Sequence, residues 1–262
     1  MNKIIKTALA TTVLASALAV SAPAFADETP FLTVTGNVAL TTEYRLRGIS
    51  QTDGDPAIQG GLTLSTAPGF YVSTWASNLA GAGSFGGNNM ELDLIAGYTK
   101  AVGPVTLDGG LIYYVYPGAN GTPPGVNYDY FELYGSVSGK VGPVNAKLGT
   151  YWAPNQRNIA YSSAKGHNIW VYTDLGLPIS GTPITLKGHV GYSSGNSGYT
   201  KDLDVVDYAV GADVTWNKLT FNVSYVGTDV SRANSFRWPS TATQSGHDIT
   251  KGKVVATLTA SF

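Results

Sequence analysis

The chain has 262 residues, a formal net charge of −1 and no cysteine, and only 13% of its residues are charged. Ordinary soluble domains carry roughly 25% charged residues, and a near-neutral chain lacks the basic surface on which nucleic-acid binding depends. The absence of cysteine excludes a disulfide framework, so an exported fold of this sequence closes through backbone hydrogen bonds and packing alone.

The first 26 residues have the pattern of a secretory signal peptide. Lys3 and Lys6 precede an uncharged apolar run over residues 7–20, and Ala24-Phe25-Ala26 is a small-x-small cleavage site. We therefore expect residues 1–26 to be a signal peptide that is removed on export, and residues 27–262 to form one domain.

The rest of the chain alternates repeatedly between apolar and polar residues with a period of two, which is typical of β-strands with one apolar face. In the last strand, for example, Val254, Leu258 and Phe262 share one face, while Thr257 and Thr259 lie on the other. The pattern predicts strands at 34–47, 57–65, 70–78, 90–100, 105–116, 128–139, 144–152, 167–177, 184–192, 204–215, 219–227 and in the terminal stretch 251–262.

The connections between these twelve strands alternate between long, Gly-rich loops and short turns. This alternation places every short turn at one end of the molecule and every long loop at the other, as in outer-membrane barrels with short periplasmic turns and long external loops. An even number of strands also brings the last strand beside the first. We therefore predict an all-β fold, a transmembrane antiparallel β-barrel of about 12 strands. Ten or fourteen strands, or a secreted β-sandwich, are the alternatives.

Five segments of the chain resemble the TorF family, a bacterial family whose members are named as porins. The longest reads NVALTTEYRLRGISQTD over residues 37–53, and the others cover 56–61, 69–78, 91–98 and 113–118. The resemblance implies a barrel in the bacterial outer membrane that conducts small solutes, with no defined catalytic residues. It also implies export through the periplasm, and the terminal Phe262 resembles the signal read by the barrel-assembly machinery.

Charged residues on the polar faces of the strands are candidates for lining a lumen or its constriction, because rings of charge decide which ions enter a pore. Glu43 pairing with Arg45 or Arg47 is the predicted constriction, and eight acids against four bases predict a weak preference for cations. The alternative is that these side chains hold the barrel interior together through salt bridges. The twelve residues are Glu43, Arg45, Arg47, Glu91, Asp93, Asp108, Glu132, Lys147, Asp174, Lys187, Asp207 and Asp213.

Six tyrosines take the same parity and would either form an aromatic path for sugars or pack at the barrel rim. They are Tyr114, Tyr116, Tyr130, Tyr134, Tyr151 and Tyr172.

The sequence predicts a passive channel with no cofactor and no metal, whose partners are outer-membrane lipids and small polar solutes or ions. One alternative is a non-conducting barrel whose external loops bind a partner. The long loop 228–250 is its best feature, although that loop could also fold inward as a plug. The other alternative is a barrel hydrolase, for which His167, His189 and His247 are the available histidines.

Overall fold

The computed structural model of the protein describes residues 31–81, 88–117, 128–161, 163–235 and 248–262. These residues form fourteen strands and a closed antiparallel barrel of twelve of them, in the circular order β1-β14-β13-β12-β11-β10-β9-β8-β7-β6-β5-β4. The strands are β1 (Leu32–Thr41), β2 (Arg45–Leu46), β3 (Ile49–Ser50), β4 (Ala57–Thr66), β5 (Phe70–Asn78), β6 (Met90–Val102), β7 (Val105–Val115), β8 (Tyr130–Val141), β9 (Val144–Gln156), β10 (Gly166–Pro178), β11 (Ile184–Gly195), β12 (Val205–Trp216), β13 (Leu219–Thr228) and β14 (Lys253–Ser261).

The barrel confirms the predicted fold class and the segregation of long and short connections. The eleven later barrel strands agree with their predicted limits to within four residues. The first predicted strand is wrong at its end, because β1 stops at Thr41 and not at residue 47. Beyond Thr41 the chain leaves the barrel wall, and β2 and β3 pair only with each other.

The outer surface of the barrel is apolar because one parity of every strand faces outward. Exposed side chains on this surface include Val34, Leu40, Ile58, Leu94, Leu148, Val210 and Phe221. Exposed aromatic rings form two bands near the strand ends. Phe70, Tyr98, Trp216 and Phe262 lie towards the short turns, whereas Tyr113, Trp152, Tyr192, Tyr208 and Tyr225 lie towards the long loops.

The opposite parity faces inward, and the largest cluster of buried apolar side chains lies inside the barrel rather than between two layers. Tyrosines dominate this cluster, and charged side chains are buried beside them. Within the part of the chain that is described, no helix has the length and apolar character needed to cross a membrane.

Candidate functional site in the barrel interior

Residues 42–56, which we call the inner hairpin, fold into the barrel interior at the long-loop end. Strands β2 and β3 are joined by a two-residue turn in which Arg47 has φ of 50° and Gly48 has φ of 76°. Two positive φ values are typical of the type I′ turn, whose twist suits a tight β-hairpin. These angles make the chain turn back at residues 47–48. The departure from the barrel wall lies earlier, after Thr41, so residues 42–47 do not extend β1 as predicted.

The inner hairpin crosses the interior from one wall to the other. It leaves the wall after Thr41 and returns at Ala57, and these two residues are direct partners on β1 and β4. Arg47, near its tip, reaches Glu132 on β8 and Trp170 on β10. In the circular strand order β8 and β10 flank β9, which lies opposite β1. The hairpin therefore narrows the interior at the long-loop end.

The ion pair of Arg47 with Glu132 fastens the hairpin to the far wall. Arg47 Nη2 donates to both carboxylate oxygens of Glu132, at 2.8 and 2.6 Å, and both side chains are at most 2% exposed. The Tyr114 hydroxyl donates to the same carboxylate at 3.0 Å. Burial of Arg47 disfavours its charge, but the attraction of Glu132 outweighs this and raises the pKa of Arg47 above its usual value.

A second contact of the hairpin with the wall joins Tyr44 to Glu91 on β6. The Tyr44 hydroxyl donates to Glu91 Oε1 at 2.6 Å, and the Tyr116 hydroxyl donates to Oε2 at 3.0 Å. Burial, together with the negative charges of Glu91 and Asp93, raises the pKa of Tyr44 well above its usual value. Tyr44 therefore remains a neutral donor, and Glu91 accepts hydrogen bonds at both oxygens.

Of the two arginines predicted to pair with Glu43, the structure places Arg45 beside it. Arg45 Nη2 lies 3.0 Å from Glu43 Oε1, and Arg45 also donates to the carbonyl of Gly48 at 2.8 Å. Lys253 Nζ on β14 lies 3.7 Å from the other carboxylate oxygen of Glu43. The Glu43–Arg45 pair therefore lies within the hairpin and next to β14, whereas Arg47 reaches the opposite wall.

The other predicted interior charges lie on the barrel wall. Asp93 is 3% exposed, and its Oδ1 has no hydrogen-bond partner among the described residues. Asp108 is half-buried nearer the short turns and accepts a bond of 2.8 Å from the Tyr71 hydroxyl. Lys187 Nζ lies 3.8 Å from Asp213 Oδ2. Lys147 lies 5.8 Å from the ring centre of Tyr172.

A chain of polar contacts connects β10, β11 and β12 inside the barrel. His189 Nδ1 lies 2.6 Å from Asp174 Oδ1, and His189 Nε2 lies 2.8 Å from Asp207 Oδ1. The indole of Trp170 donates to Asp207 Oδ2 at 2.8 Å. Because both imidazole nitrogens face carboxylates, only a doubly protonated ring donates to both. Neither nitrogen is left for a serine, so His189 lacks the contact that a hydrolase base needs.

The six interior tyrosines pack against one another and against neighbouring rings. Tyr114 stacks on Tyr130 at 4.4 Å, and Tyr134 stacks on Tyr151 at 5.4 Å. All but Tyr134 are at most 7% exposed, so their ring faces serve packing and offer little surface to a sugar.

Four aromatic residues that the sequence analysis did not single out belong to the site: Tyr44 and Tyr71, whose contacts are given above, and Trp170 and Tyr199. Trp170 shares the inward parity of Tyr172 on β10, so its position could have been predicted with the tyrosines. Tyr199 lies between β11 and β12, where no periodicity indicates its direction. Its hydroxyl contacts the hydroxyl of Tyr130, and its ring lies 4.6 Å from the Arg47 guanidinium.

Some expectations fall on other parts of the chain. His167 is exposed on the outer face of β10. His247 and the centre of the loop 228–250 lie outside the described residues, as does the predicted signal peptide. Among the residues that are described, no group of three or more histidines and carboxylates could hold a metal ion.

The closed barrel with its inward-facing charges has the fold of outer-membrane porins. One solved structure with a similar fold is described as "KdgM porin". It has a TM-score of 0.53 and 12% identity over 87% of this chain and 99% of that one. A second, the NanC porin, has a TM-score of 0.53 and 11% identity over 88% and 99% of the two chains.

The family assignment comes from sequence. The model of a bacterial family described as "Bacterial protein of unknown function (Gcw_chp)" matches residues 25–262, and the chain belongs to this family. A search of curated proteins gives no match.

Proposed function

We propose that the protein is a porin-like channel of the bacterial outer membrane, through which small polar solutes and ions diffuse passively. The observation that carries this proposal is that one barrel has an apolar outer surface and a charged interior. Its outside is apolar with aromatic bands near both strand ends, which suits a bilayer, and its inside is lined with ionisable groups. The short turns would then face the periplasm and the long loops the exterior.

The interior charges support a weak preference for cations. Three pairs are internally neutralised, Glu43 with Arg45, Arg47 with Glu132 and Lys187 with Asp213. The remaining predicted charges are five acids, at residues 91, 93, 108, 174 and 207, against Lys147, with His189 between two of the acids. An acidic lining lowers the energy of an entering cation and raises that of an anion.

Conductance of the refolded mature chain in planar bilayers tests the proposal. We expect discrete current steps, and in a salt gradient a reversal potential of the sign for cation preference. Asp108 and Asp174 are half-buried interior acids, so the double variant Asp108→Asn/Asp174→Asn should move the reversal potential towards zero. Asp202→Asn/Asp204→Asn, which neutralises two exposed acids, is the matched control and should change it less.

A non-conducting barrel is the second candidate, and the inner hairpin crossing the interior is the observation that favours it. If a correctly folded barrel gave no current steps, the non-conducting barrel would replace the channel. A reversal potential of the sign for anion preference would contradict the role of the interior acids. The histidine contacts give no comparable support to a hydrolase.

The remaining proposals concern export and assembly. We infer that residues 1–26 are a signal peptide and that residues 27–262 reach the outer membrane through the periplasm. Recognition by the barrel-assembly machinery would involve β14 and Phe262. The resemblance over residues 37–53 supports grouping the chain with the TorF porins.

A further inference from the structure

The side chain of Arg47 occupies a set of groups that together form a site for an organic cation. We call this set the cation cage: Glu132, Tyr114, Trp170 and Tyr199. Glu132 supplies a buried carboxylate, and the ring centres of Tyr199 and Trp170 lie 4.6 and 5.1 Å from the guanidinium carbon. A cation within about 6 Å of an aromatic ring face is attracted by the ring's electron density.

Arg47 itself uses the cage incompletely. Only Nη2 contacts Glu132, whereas Nε and Nη1 are buried with no hydrogen-bond partner among the described residues. A buried donor without a partner is unfavourable, and guanidinium normally bonds a carboxylate through two nitrogens. A free guanidinium is not constrained by the hairpin backbone, so it can turn until two of its nitrogens face the two carboxylate oxygens of Glu132.

The walls of the cage are held by contacts that do not involve Arg47. The Trp170 indole donates to Asp207, and the Tyr114 ring stacks on Tyr130. The hydroxyls of Tyr199 and Tyr130 contact each other. Because these contacts join barrel strands and the β11–β12 connection, the cage persists when Arg47 leaves it.

We propose that the cation cage binds organic cations bearing a guanidinium or primary ammonium group, and that Arg47 is its internal occupant. This names the solute class of the channel and rests on the proposed function. A cation that enters the cage displaces Arg47 and releases the inner hairpin from the far wall, so binding and widening of the interior are linked.

The test empties the cage with Arg47→Ala and offers methylguanidinium chloride or its neutral counterpart methylurea. A ligand that binds only the folded barrel raises the unfolding midpoint with its concentration. We expect methylguanidinium to stabilise Arg47→Ala and methylurea not to. Addition of Glu132→Gln should weaken the response about tenfold or more, because the charge-assisted contact is lost. The wild type, whose cage holds Arg47, should be stabilised less than Arg47→Ala, and Arg45→Ala, which leaves Arg47 in place, should respond like the wild type.

If Arg47→Ala does not refold alone, its refolding yield in each additive becomes the readout. If methylguanidinium restores refolding and methylurea does not, the result supports the cage. If neither additive restores refolding, the result overturns it. An equal response with and without Glu132→Gln also overturns it. Conductance separates this proposal from the channel: stabilisation of a silent barrel removes the channel and keeps the cage, whereas current steps without stabilisation keep the channel and remove the cage.

Discussion

At the scale of single residues, His189 connects the polar side chains on the inner wall of β10 to β12. Its side chain is 1% exposed and lies between the carboxylates of Asp174 and Asp207. Removing one member of a buried ion pair leaves an uncompensated charge, which costs about 3 kcal/mol or more. We therefore expect His189→Gln to lower the free energy of unfolding by about that amount, measured by urea unfolding in lipid vesicles.

The second histidine on these strands provides the control. His167→Gln changes an exposed residue of β10 and should cost little. Asp207→Asn added to His189→Gln should restore part of the loss, because it removes one of the two facing charges. Equal effects of the two histidine variants would show that the chain of contacts contributes nothing to stability.

At the scale of the element, the inner hairpin can be replaced by a short turn, because its two ends meet on adjacent strands. Thr41 and Ala57 are paired residues of β1 and β4, so their Cα atoms lie about 5 Å apart, a gap that a two-residue turn bridges. Replacing residues 42–56 by Asn-Gly should yield a folded barrel with severalfold higher conductance, because the crossing at the long-loop end is gone. The readout is the size of single-channel steps.

The matched variant keeps the hairpin and weakens only its far attachment. Glu132→Gln should give current steps between those of the wild type and the hairpin-free barrel, or brief transitions to the conductance of the hairpin-free barrel. The hairpin stays partly attached because Tyr44 still bonds Glu91. A hairpin-free barrel with unchanged conductance would place the constriction elsewhere in the interior.

The same hairpin marks the limit of what the sequence predicts. Barrel strands are predictable because each residue faces either the apolar outside or the interior, so alternation persists along every strand. Residues 42–47 alternate just as well, yet they leave the wall after Thr41 and turn back at Arg47 and Gly48, and no period-two pattern reports either change of direction. The partner of Arg47 is 85 residues away in the chain, and such a pairing depends on closure of the barrel.

At the scale of the whole molecule, closure depends on a short seam between the two ends of the chain. β1 and β14 share the register from Asn37–Ser261 to Thr41–Thr257, whereas β1 and β4 are paired along the full length of both strands. Phe262 extends the seam, because its amide donates to Gly36 O and its carbonyl accepts from Gly36 N, both at 2.9 Å. A Cβ on Gly36 would lie 2.7 Å from the Phe262 ring, so glycine lets the ring pack on β1.

Deletion of Phe262 should therefore destabilise the barrel by about 2 kcal/mol, since two backbone hydrogen bonds contribute about 1 kcal/mol each. Phe262→Ala keeps both bonds and loses only the ring, so its cost in urea unfolding should be smaller. The ratio of the two effects separates seam closure from ring packing. If the deletion and the alanine variant were equally stable, the seam would end at Ser261, and the terminal residue would matter only for recognition during assembly.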